Sequence, residues 1–492
     1  MKRHFATLSL AAGLALAAGQ ALAAKDSLVL GMVLEPPHLD PTAGAAAAID
    51  EVVYANVFEG LTRIDRNGAV KPALAESWTV SDDGLTYIFK LRSGVNFHDG
   101  SAFDSADVKY SLDRATAEDS TNAQKGLFEP IAKVETPDPH TVRITLARPT
   151  GNFLFNLGWG DAVIVAPENA ADNKSKPVGT GPFVFKRWVK GDRVELERNG
   201  AYWGSPAKLA NATIKIIPDP AAAAAAVMAG DVDAFANFPA PETMAQFEAD
   251  PRFEVVIGST EGETILAMNN TRKPLDDIRV RRAIAHAVDR KAVIDGAMFG
   301  YGTPIGSHFA PHHPAYVDLT GRYPYDPARA KALLAEAGHG AGLKLTLKLP
   351  PPSYARRGGE IIAAQLAQVG IEAEIIPVEW AQWLEQVFRG TDYDLTIVSH
   401  TEPMDIGIYA RDTYYFNYKS AAFRDVIAKL NAAVEDKARY ALMADAQKTI
   451  AEDSVNVFLF QLAKHGVWDA KVEGLWENSP VQANDLTEVY WK

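Results

Sequence analysis

The sequence predicts an α/β protein with more than one domain. Its 492 residues exceed the length of one compact domain. Hydrophobic residues make up 47% and charged residues 23% of the chain, which is typical of a folded globular protein. In the second half, helical and strand patterns alternate, and this order predicts an α/β sheet with ligands at its strand ends.

The first half contains mainly strand patterns. The apolar run 27–34 predicts a buried strand that stops at the proline-rich loop 35–41, with a helix to follow over 45–58. A helix is also expected over 105–114, with Ser105 as its N-cap, and segment 177–182 (PVGTGP) is a natural crossing between lobes. Strands are predicted at 87–91, 141–146, 184–188, 193–197, 212–217 and 263–269, with an alanine-rich helix after Pro220.

The second half begins with a helix predicted from Asp276 to about Met298, since acidic residues at its start suit the helix dipole. The glycine at 338 is suited to end the next helix. The remaining helices are expected at 326–337, 357–369, 380–388, 421–430 and 439–451, and the strands at 343–349, 371–377, 393–398 and 455–461.

The N-terminus has the pattern of an export signal. Lys2 and Arg3 precede a mostly apolar stretch at 5–18, and small residues then predict cleavage between Ala23 and Ala24. The stretch is shorter than the ~20 apolar residues that span a bilayer. The absence of cysteine excludes an acylated cysteine anchor and disulfides. We therefore expect residues 1–23 to be a signal peptide and the mature protein to be soluble and periplasmic.

Charge and motifs exclude several functions. The net charge of −13 and the pI near 5.4 argue against a nucleic-acid-binding surface. The sequence has no Gly-x-Ser-x-Gly elbow, no His-Glu-x-x-His and no cysteine nucleophile, so we predict no catalytic residues and no enzyme activity. A periplasmic hydrolase with a site built from distant residues is a remote alternative. His308, His312 and His313 lie in a proline-containing loop that defines no metal geometry, and we predict neither a metal site nor a cofactor.

A series of motifs in one order resembles a known family. The chain is similar to the family 5 extracellular solute-binding proteins, the dipeptide-, oligopeptide- and nickel-binding type of ABC importers. The resemblance covers nearly the whole mature chain, and several long motifs in register are more specific than one short pattern. The motifs are VFEGLT at 57–62, PALAESW at 72–78, SDDGLTY at 81–87, LRSGV at 91–95, FHDG at 97–100, DVKYSL at 107–112, GTGPF at 179–183, the stretch 277–290 and AEAG at 335–338.

The resemblance implies a fold and a role. The fold would be a two-lobed periplasmic-binding-protein clamshell of type II, similar to cluster C, with an extra small domain. Domain I would comprise 24–57, 178–268 and 468–492, domain II 58–177 and domain III 269–467. The protein would be a monomeric receptor that closes about a hinge on a small peptide or peptide-like solute and delivers it to an inner-membrane permease. A non-peptide ligand, such as an aromatic acid, an opine- or sugar-like conjugate or a metal chelate, is the alternative.

Candidate ligand-binding residues lie on loops that would face the cleft. Arginines can hold a ligand carboxylate, and tryptophans offer a large apolar face with a polar edge. Arg356 and Arg357 are expected just before the helix that ends at Val369. The full set is Glu35, His38, Arg356, Arg357, Trp380, Trp383, His400, Glu402, Asp405, Tyr415 and Asn417.

Segment 399–405 departs from the peptide-binding members. At this position the peptide-binding members of the family resemble one another in a Trp-x-x-Asp motif, whose Asp pairs with the α-amino group of the peptide. This chain lacks the tryptophan and has Ser399 near the expected Asp. Either His400, Glu402 or Asp405 replaces the missing carboxylate, or the ligand has no ammonium group. The aromatic residues that follow, including Tyr414 and Tyr415, would suit a flat or sugar-like ligand.

Overall fold

The computed structural model describes residues 25–402, 404–433 and 435–492. The predicted signal peptide and its cleavage site lie outside these residues. Within the described part of the chain, no helix is both long and apolar enough to cross a membrane.

The strands and helices confirm the predicted α/β class. The strands are β1 (Ser27–Met32), β2 (Thr62–Ile64), β3 (Val70–Pro72), β4 (Ala75–Val80), β5 (Thr86–Leu91), β6 (Ile131–Asp138), β7 (Thr141–Leu146), β8 (Phe183–Val189), β9 (Arg193–Arg198), β10 (Asn211–Ile216), β11 (Ala234–Phe235), β12 (Phe253–Met268), β13 (Thr303–Pro304), β14 (Leu343–Leu349), β15 (Ile371–Pro377), β16 (Leu395–His400), β17 (Asn456–Asp469), β18 (Val472–Glu473) and β19 (Tyr490–Trp491). The α-helices are α1 (Ala47–Val53), α2 (Ser105–Thr116), α3 (Phe153–Asn156), α4 (Pro220–Ala229), α5 (Met244–Glu248), α6 (Ile278–Ala287), α7 (Arg290–Met298), α8 (Pro327–Glu336), α9 (Ser353–Gln368), α10 (Trp380–Trp383), α11 (Ala421–Ala432) and α12 (Asp436–Glu452). A π-helix, Leu384–Arg389, continues α10, and short 3-10 helices form at Pro41–Ala43, Lys125–Leu127, Gly160–Ala162, Pro241–Thr243, Thr320–Arg322 and Ile406–Ala410.

One mixed sheet runs through both lobes. Its order is β15-β14-β16-β12-β17-β11-β1-β10-β9-β8, and β13 pairs with β17. We call the part around β1 and β8–β11 the first lobe and the part around β14–β16 the second lobe. The antiparallel strands β12 and β17 connect them, and their register shifts between Ser259 and Glu263. A shift in register bends and twists the ladder locally.

Helices α6–α9 cover the second lobe. The core there joins Ile284 and Ile362 from the helices to Leu347 and Ile397 from the parallel part of the sheet, all of them fully buried. Strand β14 (LKLTLKL) becomes buried towards its end, whereas the outer strand β15 (IEAEIIP) alternates apolar with charged residues and is partly exposed.

A separate antiparallel sheet lies within residues 58–177. Its order is β4-β5-β7-β6, and α2 packs against it through Val108 and Leu112. The motifs PALAESW, SDDGLTY and DVKYSL all lie in this unit. His98 Nε2 lies 2.9 Å from the carbonyl oxygen of Gly181, within hydrogen-bond distance. The FHDG motif therefore forms a turn that is bound to the GTGPF segment.

Several predicted boundaries are wrong. The helix expected from Asp276 to Met298 is two helices, because the side chain of Asp289 caps the backbone NH of Ala292 and starts α7 anew. Helix α2 is capped by Asp104 rather than Ser105, and Asp107 completes a capping box. Helix α9 begins at Ser353, so Arg356 and Arg357 lie within its first turns instead of before them. The strand expected at 263–269 is only the second part of β12.

The GTGPF segment packs directly on the backbone of its neighbour. A Cβ atom at Gly179 would lie 2.0 Å from the carbonyl oxygen of Val57. Because this oxygen belongs to the backbone, the clash cannot be removed by a change of side-chain rotamer. We expect Gly179→Ala to lower the free energy of unfolding by about 1–3 kcal/mol, because overpacking forces the backbone to shift. Urea unfolding followed by circular dichroism measures this. Gly126→Ala is the matched control, since an added Cβ there meets no atom within 4 Å. Equal urea midpoints for the two variants would refute the packing argument.

Candidate functional site

A cavity of about 270 Å³ lies between the two lobes. The first lobe contributes the end of β1 and the start of α1, and the second lobe contributes Tyr354, Trp380 and segment 398–402. Ala123 and Gln124 of the small unit and segment 481–484 complete the wall. The cavity therefore needs every part of the fold to be in place. Its volume is slightly below the roughly 300–1,000 Å³ found for small-molecule sites.

Aromatic rings form one wall of the cavity. Trp380 and Trp383 stack in parallel with their centroids 5.1 Å apart. The indole NH of Trp383 donates to Thr396 Oγ1 at 2.9 Å, which fixes that ring in the core. Trp380 is half-buried, and its indole NH has no hydrogen-bond partner within the described residues. The NH and the indole face opposite Trp383 are therefore open to a ligand. Tyr414 lies on the same side, whereas Tyr415 is buried behind it.

Four polar atoms of cavity-lining residues have no hydrogen-bond partner within the described residues. They are Trp380 Nε1, Ser399 Oγ, His465 Nε2 and Asn484 Oδ1. Burial lowers the pKa of His465 to about 4, so its ring is neutral near pH 7. Buried polar groups are nearly always paired in native proteins, so these atoms indicate a polar ligand or ordered water.

A network of charged groups lies beneath segment 399–405. His308 is fully buried, with Nδ1 3.0 Å from Glu263 Oε1 and Nε2 2.8 Å from Asp405 Oδ1. Burial disfavours the imidazolium, but the two carboxylates outweigh burial and raise the pKa of His308 to about 10. The network ties β12, just past its register shift, to the loop that carries the cavity wall.

The histidine cluster does not converge on one point. His312 binds Glu261 at 2.6 Å, and the ring of His313 lies 3.3 Å from Met404 Sδ. Both nitrogens of His308 already face carboxylates, so the three imidazoles do not form a common metal site. The predicted absence of a metal site stays a prediction.

Five of the candidate residues line the cavity. Trp380, Trp383, His400, Glu402 and Asp405 all belong to its wall. His400 Nε2 contacts the Tyr415 hydroxyl at 2.7 Å, and Nδ1 is 3.8 Å from Glu402 Oε2. Burial favours the neutral acid, but His400 outweighs it and lowers the pKa of Glu402.

The other six candidates make contacts elsewhere. Glu35 accepts hydrogen bonds from Trp188 and Gly191, and Asn417 donates to Asn269. Arg356 donates to the carbonyls of Pro350 and Val378. The three remaining residues are His38, Arg357 and Tyr415, none of which belongs to the cavity wall.

Sequence reasoning missed several cavity residues. Arg411 lines the cavity, donates to Gln124 Oε1 at 3.0 Å and lies 5.5 Å from the ring of Tyr414. Its place inside the aromatic stretch 409–418 is the one signal that could have found it. Asp50 and Asp161 lie beside the cavity, and no motif marks either of them.

The fold and the sequence both match known proteins. The family model for bacterial extracellular solute-binding proteins, family 5, matches residues 69–421. The glutathione-binding protein GsiB of Salmonella paratyphi A is 37% identical over 358 residues, which cover 71% of this chain and 69% of GsiB.

Solved structures cover almost the whole chain. The periplasmic binding protein DppA from Helicobacter pylori, in complex with the peptide STSA, superposes with a TM-score of 0.89 at 27% identity and covers 95% of this chain and 98% of DppA. The binding protein AgaA from A. tumefaciens, in complex with agropinic acid, has a TM-score of 0.87 at 26% identity and covers 95% of this chain and 99% of AgaA. The two-lobed fold expected from the motifs is that of these structures, and the chain belongs to the family 5 bacterial extracellular solute-binding proteins.

Proposed function

We propose that this protein captures a small peptide or peptide-like solute between its lobes and presents it to the permease of an ABC importer. The observation that carries this proposal is the interlobe cavity with unpaired polar atoms on both of its sides: Trp380 and Ser399 in the second lobe, and Asn484 in the C-terminal segment 481–484. A bound solute would pair these atoms and bury its own apolar surface against Trp380.

The charges of the wall suit a solute with polar ends. Arg411 presents a guanidinium that is held by Gln124 and the ring of Tyr414, and such a fork binds carboxylates well. Glu402 offers a carboxylate on the same lobe. GsiB binds glutathione and DppA was solved with a peptide, which supports a peptide-like ligand for this chain.

A second candidate ligand is an opine-like conjugate. The relative AgaA was solved with agropinic acid, and segment 399–405 of this chain lacks the peptide-binding pattern. The half-buried Trp380 would stack on a flat or sugar-like group equally well. Both ligands imply the same transport role.

Closure of the lobes about β12 and β17 is part of the proposal. Domain I would comprise 24–57, 178–268 and 468–492, domain II 58–177 and domain III 269–467, and the shift between Ser259 and Glu263 lies close to where the first and third domains meet. Arg357 of α9 reaches across to Glu242 of the first lobe through two hydrogen bonds of 2.8 and 3.0 Å. This bidentate pair would hold the closed state. We further propose that the receptor is a periplasmic monomer, catalyses no reaction and therefore leaves a peptide library intact.

Truncation of Trp380 tests the cavity as the binding site. A panel of di- and tripeptides, with reduced glutathione among them, is titrated calorimetrically, and the best binder is used. We expect Trp380→Ala to weaken binding at least tenfold, about 1.4 kcal/mol, because the ligand loses an aromatic face and a donor.

Trp78→Ala is the control, since Trp78 packs on Phe89 in the small sheet away from the cavity. Equal affinity of the Trp380→Ala variant and the unaltered protein would place the ligand elsewhere. Binding of agropinic acid with no binding of any peptide would favour the second candidate.

Loss of the contact between Arg357 and Glu242 tests closure. We expect Arg357→Ala to speed ligand dissociation up to about fivefold, because an exposed ion pair contributes at most about 1 kcal/mol. Stopped-flow tryptophan fluorescence measures the rate.

In the matched control, Arg389→Ala, the lost pair joins Arg389 to Glu385 within one helical segment. That variant should dissociate at the unaltered rate. If Arg357→Ala behaved like Arg389→Ala, the pair would have no part in holding the lobes closed.

A further inference from the structure

A buried histidine connects β12 to the wall of the cavity. His308 is 1% exposed, with Nδ1 3.0 Å from Glu263 Oε1 and Nε2 2.8 Å from Asp405 Oδ1. Glu263 belongs to β12, and Asp405 is one of the residues that line the cavity. Neither His308 nor Glu263 belongs to the described wall of the cavity. The ring therefore acts on the wall through Asp405.

The two contacts of His308 need a charged ring. A neutral imidazole has one NH and can donate to only one acceptor, whereas an imidazolium has two NH groups. A carboxylate lies at each nitrogen of His308, so the imidazolium is the form that suits both contacts. Burial disfavours this charge, but Glu263 and Asp405 outweigh burial and raise the pKa of His308 to about 10.

The loop that carries His308 is fixed from behind by α12. Ser307 Oγ lies 2.9 Å from both the carbonyl oxygen of Val317 and Oε1 of Gln447. The side-chain amide of Gln447 also donates to the carbonyl of Ala315 at 2.6 Å. Helix α12 thus holds the loop before and after His308, and the place of the ring does not depend on Asp405.

The segment at the other end of the contact is irregular. Strand β16 ends at His400, and the 3-10 helix that follows begins at Ile406. The described residues between them belong to no helix or strand, and Met404 among them has a φ of 62°. This left-handed backbone is unfavourable for methionine and persists only where surrounding contacts hold it. The hydrogen bond between His308 and Asp405 is such a contact.

We propose that His308 is a positioning residue for solute binding: its charged ring holds segment 399–405 in the arrangement that forms the cavity wall. This role rests on the proposed function, since the position of the wall matters to transport only if a solute binds there. Glu263 directly follows the register shift of β12, so the same ring ties the wall to the strand that connects the lobes.

Other ionisable groups surround this bridge. They are His400 of β16, Glu402, Tyr409 of the 3-10 helix Ile406–Ala410, His312 and His313 of the loop that carries His308, Glu261 of β12 and Arg439 of α12. Burial lowers the pKa of His313 to about 4 and raises the pKa of Tyr409 well above its ordinary value, so both are neutral near pH 7. Burial also disfavours the imidazolium of His400, but Glu402 and then Glu263 outweigh burial and raise its pKa. A pH effect of His308 has to be separated from one of His400.

Hydrogen exchange tests the position of the wall without a solute. The full mature chain, freed of solute, is compared at pH 7 as the unaltered protein, His308→Gln and His312→Gln, by mass spectrometry of peptides that cover residues 399–411. We expect His308→Gln to speed exchange in these peptides about fivefold or more, because the segment loses its anchor. His312→Gln is the matched control, since His312 lies on the same loop but pairs with Glu261. Equal exchange in all three proteins would overturn the proposal.

The pH profile of solute affinity separates positioning from a merely structural role. The best binder of the di- and tripeptide panel is titrated into Glu263→Gln and the unaltered protein between pH 6 and pH 9. Burial raises the pKa of Glu263 to about 7, against the charge of His308, so near pH 6 its side chain is mostly the neutral acid that glutamine imitates. At pH 9 Glu263 is ionised and keeps His308 charged, whereas in the variant His308 loses its charge at a lower pH. We expect the variant to bind less than about threefold more weakly at pH 6 and at least about tenfold more weakly at pH 9.

The same substitution in the His308→Gln background separates His308 from His400. There the effect of Glu263→Gln should not change with pH, because the ring that responds to Glu263 is gone. An effect of Glu263→Gln that is equal at pH 6 and pH 9, or one whose pH dependence persists in the double variant, would contradict the role of His308.

Two further outcomes are decided by the same measurements. If His308→Gln does not fold, Glu263→Gln at pH 9 takes its place in the exchange experiment, since glutamine has the shape of glutamate. Exchange equal to that of the unaltered protein would then refute the proposal. If no peptide of the panel binds, the proposed peptide ligand fails, and hydrogen exchange alone decides whether His308 holds the wall.

Discussion

The two long strands β12 and β17 are the constraint on which the rest of the molecule depends. They are the central ladder of one sheet and the connection between its two lobes. Their backbone hydrogen bonds are satisfied within each lobe, and the ladder is interrupted only near the crossing, between Ser259 and Glu263, and again between Thr264 and Ile265. A register shift locally increases the bend and twist of a strand pair, so these two irregularities are where we propose that the lobes move relative to each other. The cavity lies beside this part of the ladder, since Thr260 belongs to its wall.

The buried carboxylates near the point where β12 and β17 pass between the lobes differ in how fully they are paired. Beneath segment 399–405, His308 is paired with carboxylates on both sides, and the three groups are buried together. Such a network stabilises one arrangement of the loop, because the loss of any partner would leave a buried charge unpaired. Beside the cavity, Oδ1 of Asp50 and Oδ1 of Asp161 have no hydrogen-bond partner within the described residues. The network around His308 therefore helps to shape the cavity wall.

The fold could be predicted from the sequence far better than the site. Periodicity and motif order predicted the α/β class, because buried strands and amphipathic helices have local patterns. Boundaries failed where one side chain decides them, as where Asp289 caps α7 within an otherwise continuous helical pattern. Arginine is a suitable residue type for a ligand carboxylate, but Arg357 binds the carboxylate of Glu242 instead. These two residues are 115 positions apart in the chain, and no local sequence pattern indicates such a contact. Asp50, Asp161 and Arg411 meet only after three segments fold together.

The central claim is that a solute holds the two lobes closed, and small-angle X-ray scattering tests it most directly. The protein as purified is compared with protein that has been unfolded in guanidinium chloride, dialysed to remove small molecules and refolded. We expect a larger radius of gyration for the stripped protein, and a return to the smaller value when the low-molecular-weight fraction of the purified sample is added back. Superimposable scattering curves from stripped and reloaded protein, both correctly refolded by circular dichroism, would contradict it.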